Sequence, residues 1–342
     1  MATLTDRLVK NGDLPDVELL ALLSGAEDDA LRRGAQEVCA LHYGREIYLR
    51  GLIEVSSFCK NNCLYCGIRA GNCHAQRYRL SREEILASCE QGYNRGLRTF
   101  VLQGGEDAAF TDDVLFNLIV AIKLRHPDCA VTLSLGERSG ASYRALKRAG
   151  ADRYLLRHET ADPEHYESLH PSRMSYGNRI RCLQLLKEIG YQVGCGFMVG
   201  TPRQTPEMLI KDLRFLKAFQ PQMVGIGPFI PHRDTPFAKE RPGRLDITLR
   251  LLSIIRLMLP KVLLPATTAL GTIHPRGRAM GILAGANVIM PNISPREARQ
   301  KYALYDGKPS SGMETAEGIA LIERELEKIG YRVVVSRGDA KI

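Results

Sequence analysis

From residue 50 onward the chain repeats one pattern: a short apolar run rich in β-branched residues, a polar or glycine-bearing segment, then a longer amphipathic stretch. Each repeat reads as a βα unit. Eight runs are expected as strands, at residues 52–56, 99–103, 130–134, 153–157, 192–198, 223–227, 262–267 and 287–290. Eight strands with helical intervals predict an α/β fold, a complete (β/α)8 TIM-type barrel. Helix starts are legible too. Ser81 with Glu84 three residues on forms a capping box, and Thr205 is followed by Pro206, with Leu209, Leu213 and Leu216 as an inward stripe. Gly96, Gly150, Gly190 and Gly285 stand where helices turn back toward strands.

Residues 1 to about 48 read as helices, with Val17, Leu19, Leu20, Leu22 and Leu23 ahead of a second amphipathic piece at 27–42. This N-terminal helical cap is expected to close one end of the barrel. The barrel itself is expected over 49–306 and a C-terminal extension packed on it over 307–342. That extension carries one amphipathic helix ending near Gly330 and an apolar run, Val333-Val334-Val335, suited to a terminal strand.

Composition narrows the class. The 342 residues are 44% hydrophobic and 25% charged, enough to bury a large core, and the length suits one barrel with terminal additions. Lysine and arginine exceed acidic residues by nine, but the excess is dispersed and no nucleic-acid-binding signature is present, so no nucleic-acid partner is expected. A positive field around a pocket for charged small molecules fits better. No apolar stretch reaches the roughly 18 residues of a membrane span, and residues 1–11 lack the apolar core of a secretory signal. The expectation is a cytoplasmic protein without membrane contact. Nine cysteines, three of them within eight positions, suit a metal site in a reducing compartment rather than a disulfide framework.

Those three form Cys59-Lys60-Asn61-Asn62-Cys63-Leu64-Tyr65-Cys66, directly after the first strand. A structural zinc site wants a fourth ligand, whereas three thiolates leave one iron of a four-iron cluster open to a further ligand. Cys73 and His74 offer the zinc alternative, although their spacing is unlike a second ribbon knuckle. Cys39, Cys89, Cys129, Cys182 and Cys195 read as small buried apolar residues. Further polar groups follow later strands. Gln103-Gly104-Gly105-Glu106 ends in an acid on a glycine turn, and the run from Arg153 to Thr160 gathers Arg157, His158 and Glu159. Thr267 and Thr268 place two hydroxyls at the end of a buried strand, where with Arg157 they would form an anion-binding floor.

A CxxxCxYC array after the first strand of such a barrel resembles the radical S-adenosylmethionine (SAM) superfamily. The resemblance implies a [4Fe–4S] cluster on Cys59, Cys63 and Cys66, with Tyr65 beside it, SAM on the open iron, and reductive cleavage to a 5′-deoxyadenosyl radical. It also makes Gln103, Gly104, Gly105 and Glu106 the element that binds the methionine amino group. Glu159 then receives a cationic or hydroxyl part of SAM, and Arg179 pairs with its carboxylate.

Longer stretches resemble the HydE-type [FeFe]-hydrogenase maturases within that superfamily. They are residues 132–137, 152–160, 223–232, 265–269 and 286–292. By that resemblance Gln103, Thr132, Arg157, Thr267 and Thr268 line an internal cavity or its floor. Tyr302 or Tyr305 closes toward SAM, with Met223 and Met290 as apolar walls or plain barrel packing. The implied substrate is a small iron complex carrying cysteine, carbon monoxide and cyanide, supplied by HydG. The implied onward partner is the scaffold HydF, and the electron donor a low-potential carrier such as ferredoxin or flavodoxin.

Two departures stand out. No cysteine follows Cys195, so a second surface cluster found in some relatives is expected to be absent, and residues 307–312 carry Ser310 and Ser311 instead. Gly104 stands where a serine is expected. Two other readings stay open: a methylornithine synthase or biotin synthase type enzyme acting on an amino acid or organic substrate, and a zinc-stabilised binding module without catalysis.

Overall fold

The computed structural model describes residues 2–312 and 315–341; Met1, Met313, Glu314 and Ile342, which fall in the two expected terminal segments, lie outside the described residues. Three helices come first, Leu4–Asn11, Asp16–Leu23 and Asp28–Tyr43. The strands are β1 (Glu46–Leu49), β2 (Gly51–Ser56), β3 (Thr99–Gly104), β4 (Ala130–Ser134), β5 (Arg153–Leu155), β6 (Gln192–Cys195), β7 (Met198–Val199), β8 (Met223–Val224), β9 (Gly227–Pro228), β10 (Val288–Ile289) and β11 (Arg332–Val334). All their pairings are parallel, and helices connect them except from β1 to β2, β6 to β7 and β8 to β9. The result is an α/β fold around a parallel sheet.

The ladders do not make one closed eight-stranded sheet. They fall into a six-stranded sheet in the order β2-β3-β4-β5-β6-β8, a three-stranded sheet β10-β1-β11, and the pair β7-β9. The reasons are local. Residues 262–267 contain Pro265, which has no N–H to give a ladder, and they make only single parallel bridges, Met223 to Leu263 and Pro265 to Val288. The run 192–198 breaks at Gly196, where φ is 147° and an added Cβ would lie 2.0 Å from the Gly225 carbonyl oxygen. Residues 46–48, expected within the N-terminal helical segment, belong to β1 instead, because the preceding helix stops at Gly44 with φ 62°.

The expected caps are present. Ser81 accepts from the Glu84 N–H while Glu84 reaches back to the Ser81 N–H, and Thr205 caps the helix Pro206–Phe219. Gly96, Gly150, Gly190 and Gly285 all have positive φ. Along the strands alternate residues divide two environments. Phe100, Leu102, Val131, Leu133, Tyr154 and Val193 join the large core with the surrounding helices. Their neighbours, among them Thr99, Gln103, Thr132, Arg153 and Leu155, turn to the interior.

The first residues of β3, β5 and β6 mark the base of the sheet, and the C-terminal tail lies across it. Arg153, fully buried, donates to the Thr99 hydroxyl and to the Arg337 carbonyl and pairs with Asp339 at 2.5 Å. Gln192 also reaches Asp339, and Arg50 donates to the Gly338 carbonyl. The N-terminal helices lie mostly against the outer helices, through Arg214 to Asp13 and Arg250 to Asp28, and the third reaches the base through Cys39, Tyr43 and the His42 carbonyl, which accepts from Lys341. Among the described residues no helix is long and apolar enough to cross a membrane.

Candidate active site

The opposite end of the sheet, at the strand C-termini, holds the cysteine loop. Its backbone is tied to three neighbours, Lys60 N–H to the Glu106 carbonyl, Leu64 N–H to Leu169 and Gly67 N–H to Leu304, and closed on itself by Ala70 N–H to Asn61. Arg77 binds its far side, donating to the carbonyls of Ser57, Ile68, Arg69 and Asn72. Gly105 is dictated by this packing, because a Cβ there would meet the Phe58 carbonyl oxygen at 2.1 Å and the Cys59 Cβ at 2.7 Å.

Cys59, Cys63 and Cys66 are half-buried free thiols, while Cys73 is exposed. Burial pushes all three up, Cys66 to about 12, and the neighbouring sulfurs push Cys63 and Cys66 further. Left alone they stay protonated, so three thiolates here need a strongly cationic ligand to offset burial. Among the described residues no three His, Cys, Asp or Glu side chains are set to hold a single metal ion. A mononuclear zinc site wants a fourth ligand beside the three thiols, and Cys73 is exposed, whereas three thiols on one loop leave one iron of a four-iron cluster open. The donor set fits a cluster of several irons better than a mononuclear site completed by Cys73 and His74.

Glu106 is committed within the protein. Its carboxylate accepts from the Glu137 N–H at 3.0 Å and pairs with Lys60 at 3.1 Å. Arg179 is committed as well. It donates through Nε to Glu137 at 2.6 Å and through Nη1 to the Arg157 carbonyl at 2.5 Å. A bidentate grip that uses Arg179 Nε on a ligand carboxylate therefore requires Glu137 to give way.

Glu159 follows β5 with φ 69°, in the left-handed region rare for a residue with a side chain. Arg157 pairs with its carboxylate at 3.1 Å. The Arg179 and Glu159 charges act with opposite sign on the Cys63 thiol, and Arg157 and Glu159 do so on Cys66. The structure thus brings Cys63, Tyr65, Cys66, Arg157, Glu159 and Arg179 into one electrostatic neighbourhood. The Tyr65 hydroxyl lies 3.1 Å from His170 Nε2, and His170 Nδ1 lies 2.8 Å from the Tyr166 carbonyl. That pairing puts the imidazole proton on Nδ1 and makes Nε2 the acceptor from Tyr65. Burial keeps His170 neutral, its pKa lowered to about 4. Met174 Sδ stands 3.7 Å from Cys63 Sγ.

Toward the interior, the buried Tyr302 bonds the Gln103 side chain at the end of β3. Tyr305 lies on the segment after it, which Leu304 joins to the cysteine loop and Asp306 joins to Pro231 and Arg233. The buried hydroxyls of Thr132 and Thr267 have no hydrogen-bond partner, and Thr268 opens the helix Thr268–Ile273. Gly104 ends β3. Met223 and Met290 belong to a small cluster with Tyr48, Leu155, Leu263 and Val288, where Arg50 Nη1 approaches the Met223 sulfur at 2.8 Å. Glu137, Tyr166, His170 and Met174 were not expected at the site. Glu137 lay in a stretch noted for its resemblance, but the other three carry no local signal.

A model of the radical SAM superfamily matches residues 53–216. The HydE subunit of the [FeFe] hydrogenase maturase from Thermotoga maritima is 45% identical over 315 residues, 92% of this chain and 90% of the relative. The 3-methylornithine synthase of Methanosarcina acetivorans is 29% identical, covering 94% of this chain and 87% of that one. Among solved structures, methylornithine synthase (PylB) superposes with a TM-score of 0.86 at 27% identity, covering 97% of both chains. The maturase HydG superposes at 0.79 with 21% identity, over 98% of this chain and 77% of that one, a likeness of fold. The family implies a [4Fe–4S] cluster and SAM, and the thiol loop fits them. The chain belongs to the radical SAM superfamily and is closely related to the hydrogenase maturase HydE.

Proposed function

We propose that this enzyme is a HydE-type maturase, holding a [4Fe–4S] cluster on Cys59, Cys63 and Cys66 and acting with SAM on an iron complex that carries cysteine, carbon monoxide and cyanide. The observation that carries the reading is the meeting of the cysteine loop with Arg157, Glu159 and Arg179 at one end of the parallel strands. When bound, the cluster supplies the electron that cleaves SAM to a 5′-deoxyadenosyl radical. The chain's own residues bind and orient.

Glu159 and Arg179 meet the zwitterionic end of SAM, two opposite charges for two opposite charges. Gln103, Gly104 and Gly105 lie under its amino group, and Glu106 holds that turn to Lys60. Tyr65 backs the cysteine loop through His170. Arg157, Thr132, Thr267 and Thr268 bind the anionic substrate, a role supported by the two buried hydroxyls that lack partners. Tyr302 and Tyr305 exclude water from above, and Met223 and Met290 form the apolar wall below.

We read the three ladders as parts of a complete (β/α)8 barrel over residues 49–306. The single bridges at Met223–Leu263, Pro265–Val288 and Leu52–Asn292 support this by linking β8 back to β2. Residues 1–48 cap it and 307–342 are the extension packed on it. In this scheme HydG supplies the substrate, HydF takes the product, and ferredoxin or flavodoxin delivers electrons, all in the cytoplasm.

The test is anaerobic reconstitution. About four irons per chain, as one cluster requires, and an electron paramagnetic resonance signal that shifts on adding SAM are expected, followed by 5′-deoxyadenosine formation that rises with the iron–cysteine complex. A rise with amino acids instead would assign the enzyme to the methylornithine synthase type. Zinc without iron would remove the radical reading.

A further inference from the structure

Glu159 is held in its left-handed conformation by a polar device buried behind it. His158, the preceding residue, is fully buried, and its ring lies 4.5 Å from Phe215 and 5.8 Å from Phe197 between ring centroids. Both ring nitrogens are used. The Gly196 N–H donates to Nδ1 at 3.3 Å, so the proton sits on Nε2, which donates to Asp212 Oδ1 at 3.1 Å. The same Asp212 oxygen accepts the Ala161 N–H at 2.6 Å. One carboxylate on the outer helix Pro206–Phe219 thus fastens the chain on both sides of residue 159, through 158 and 161.

Gly196 completes the frame. It gives its N–H to His158 and takes the Glu159 N–H on its carbonyl at 3.0 Å, while the Glu159 carbonyl accepts the Met198 N–H at 3.3 Å. A core packed only for stability has no need of this arrangement. Asp212 and His158 are both fully buried, and Asp212 Oδ2 has no hydrogen-bond partner, so the pair bears a desolvation cost that leucine and phenylalanine would avoid. The neighbouring Lys211 pairs with Asp162 at 2.6 Å rather than with Asp212.

We propose that His158 and Asp212 are positioning residues for the cofactor site: together they hold Glu159 with its carboxylate turned to the cysteine loop, and so set the affinity for SAM without touching it. The inference rests on the reading that Glu159 contacts SAM. It makes the strained backbone at residue 159 a built feature of the site, sustained from the outer helix.

The experiment compares His158→Phe, Asp212→Leu, Asp212→Asn and Glu159→Gln, singly and with His158→Phe combined with Glu159→Gln, on reconstituted full-length protein. Iron per chain, thermal midpoint and the SAM dissociation constant are read separately. His158→Phe and Asp212→Leu should keep the wild-type iron content and weaken SAM by about 10–100-fold, the usual scale for losing an outer partner of a bound group. Asp212→Asn keeps the shared acceptor oxygen and should restore affinity to within about threefold of wild type, which a requirement for charge would not predict, and its contrast with the similarly sized leucine excludes a requirement for bulk. The double variant should bind SAM no more weakly than Glu159→Gln alone, since the dyad acts through that carboxylate.

Additive losses in the double variant, or wild-type SAM affinity in a folded His158→Phe, would overturn the proposal. Should His158→Phe not fold, Asp212→Glu decides. It keeps the carboxyl group but displaces the acceptor by one methylene, and unchanged SAM affinity in it overturns the proposal equally. Wild-type affinity in Glu159→Gln would locate the failure in the reading of Glu159 itself.

Discussion

Lys308 Nζ stands 2.7 Å from Glu54 Oε1, with the carboxylate fully buried and the lysine nearly so. The ammonium also lies 5.2 Å from the centre of the Tyr302 ring. Lys308 follows Tyr305 closely in sequence and Glu54 lies in β2, so this pair pins the segment carrying Tyr305 over the strand ends.

Removing one partner leaves the other charge buried alone. Lys308→Met should cost about 3 kcal/mol in denaturant unfolding, the range for breaking a buried pair. Burial already raises the Glu54 pKa, so without Lys308 the carboxyl holds its proton to higher pH still. The folded state then binds more protons than the unfolded one above the ordinary carboxyl range, and the variant loses stability as pH rises. Adding Glu54→Gln should remove that pH dependence and recover most of the loss.

Cys63→Ala should abolish the cluster. Iron analysis after reconstitution should fall far below the wild-type content, and SAM should produce no spectral shift. A full cluster spectrum in this variant would overturn the ligand assignment.

Arg157→Ala separates cofactor from substrate. Arg157 carries a side-chain pair with Glu159, but its carbonyl is what Arg179 uses, and alanine retains that carbonyl. Uncoupled SAM cleavage should therefore persist at a rate within about tenfold of wild type, while turnover of the iron complex falls by about a hundredfold or more, as for loss of a charged contact worth roughly 3 kcal/mol. Equal loss of both would move Arg157 to the SAM side.

His170 gives the protein an acid-sensitive point. Its pKa is lowered to about 4 by burial, against about 6.5 in the unfolded chain. Between these values the unfolded state binds the proton and the folded state does not, so stability falls as pH drops from 6.5 toward 4, by on the order of 3 kcal/mol. Below that range the Tyr65 hydroxyl loses its acceptor. Unfolding midpoints measured across this window should fall in the wild type and flatten in His170→Phe.

The strands were legible wherever alternation was clean, as at residues 130–134, which coincide with β4. The cysteine loop was legible because three cysteines sit within eight residues. The strand β1 was not, since Ile47, Tyr48 and Leu49 prolong the apolar character of a preceding helix, although Gly44 marked the stop. The run around Pro265 looked like a strand by composition and fails as a ladder for want of one N–H. Pairs such as Arg153 with Asp339 or Lys308 with Glu54 were invisible, because single charges far apart in the chain carry no periodic signal. Arg179 was expected at the site, but its partner Glu137 was not, and that partner decides how much of the guanidinium is available.

The base of the sheet has a topological consequence. β1 pairs in parallel with β11, and Arg332 meets Glu46 across 286 residues of sequence. Arg153 waits equally for Asp339. Contacts of such long range form last, because the closure entropy of the whole intervening chain precedes them. During synthesis the interior therefore stays open from below until the stretch from Arg337 to Asp339 has left the ribosome, and a chain stopped short of Arg337 keeps Arg50 and Arg153 without these contacts.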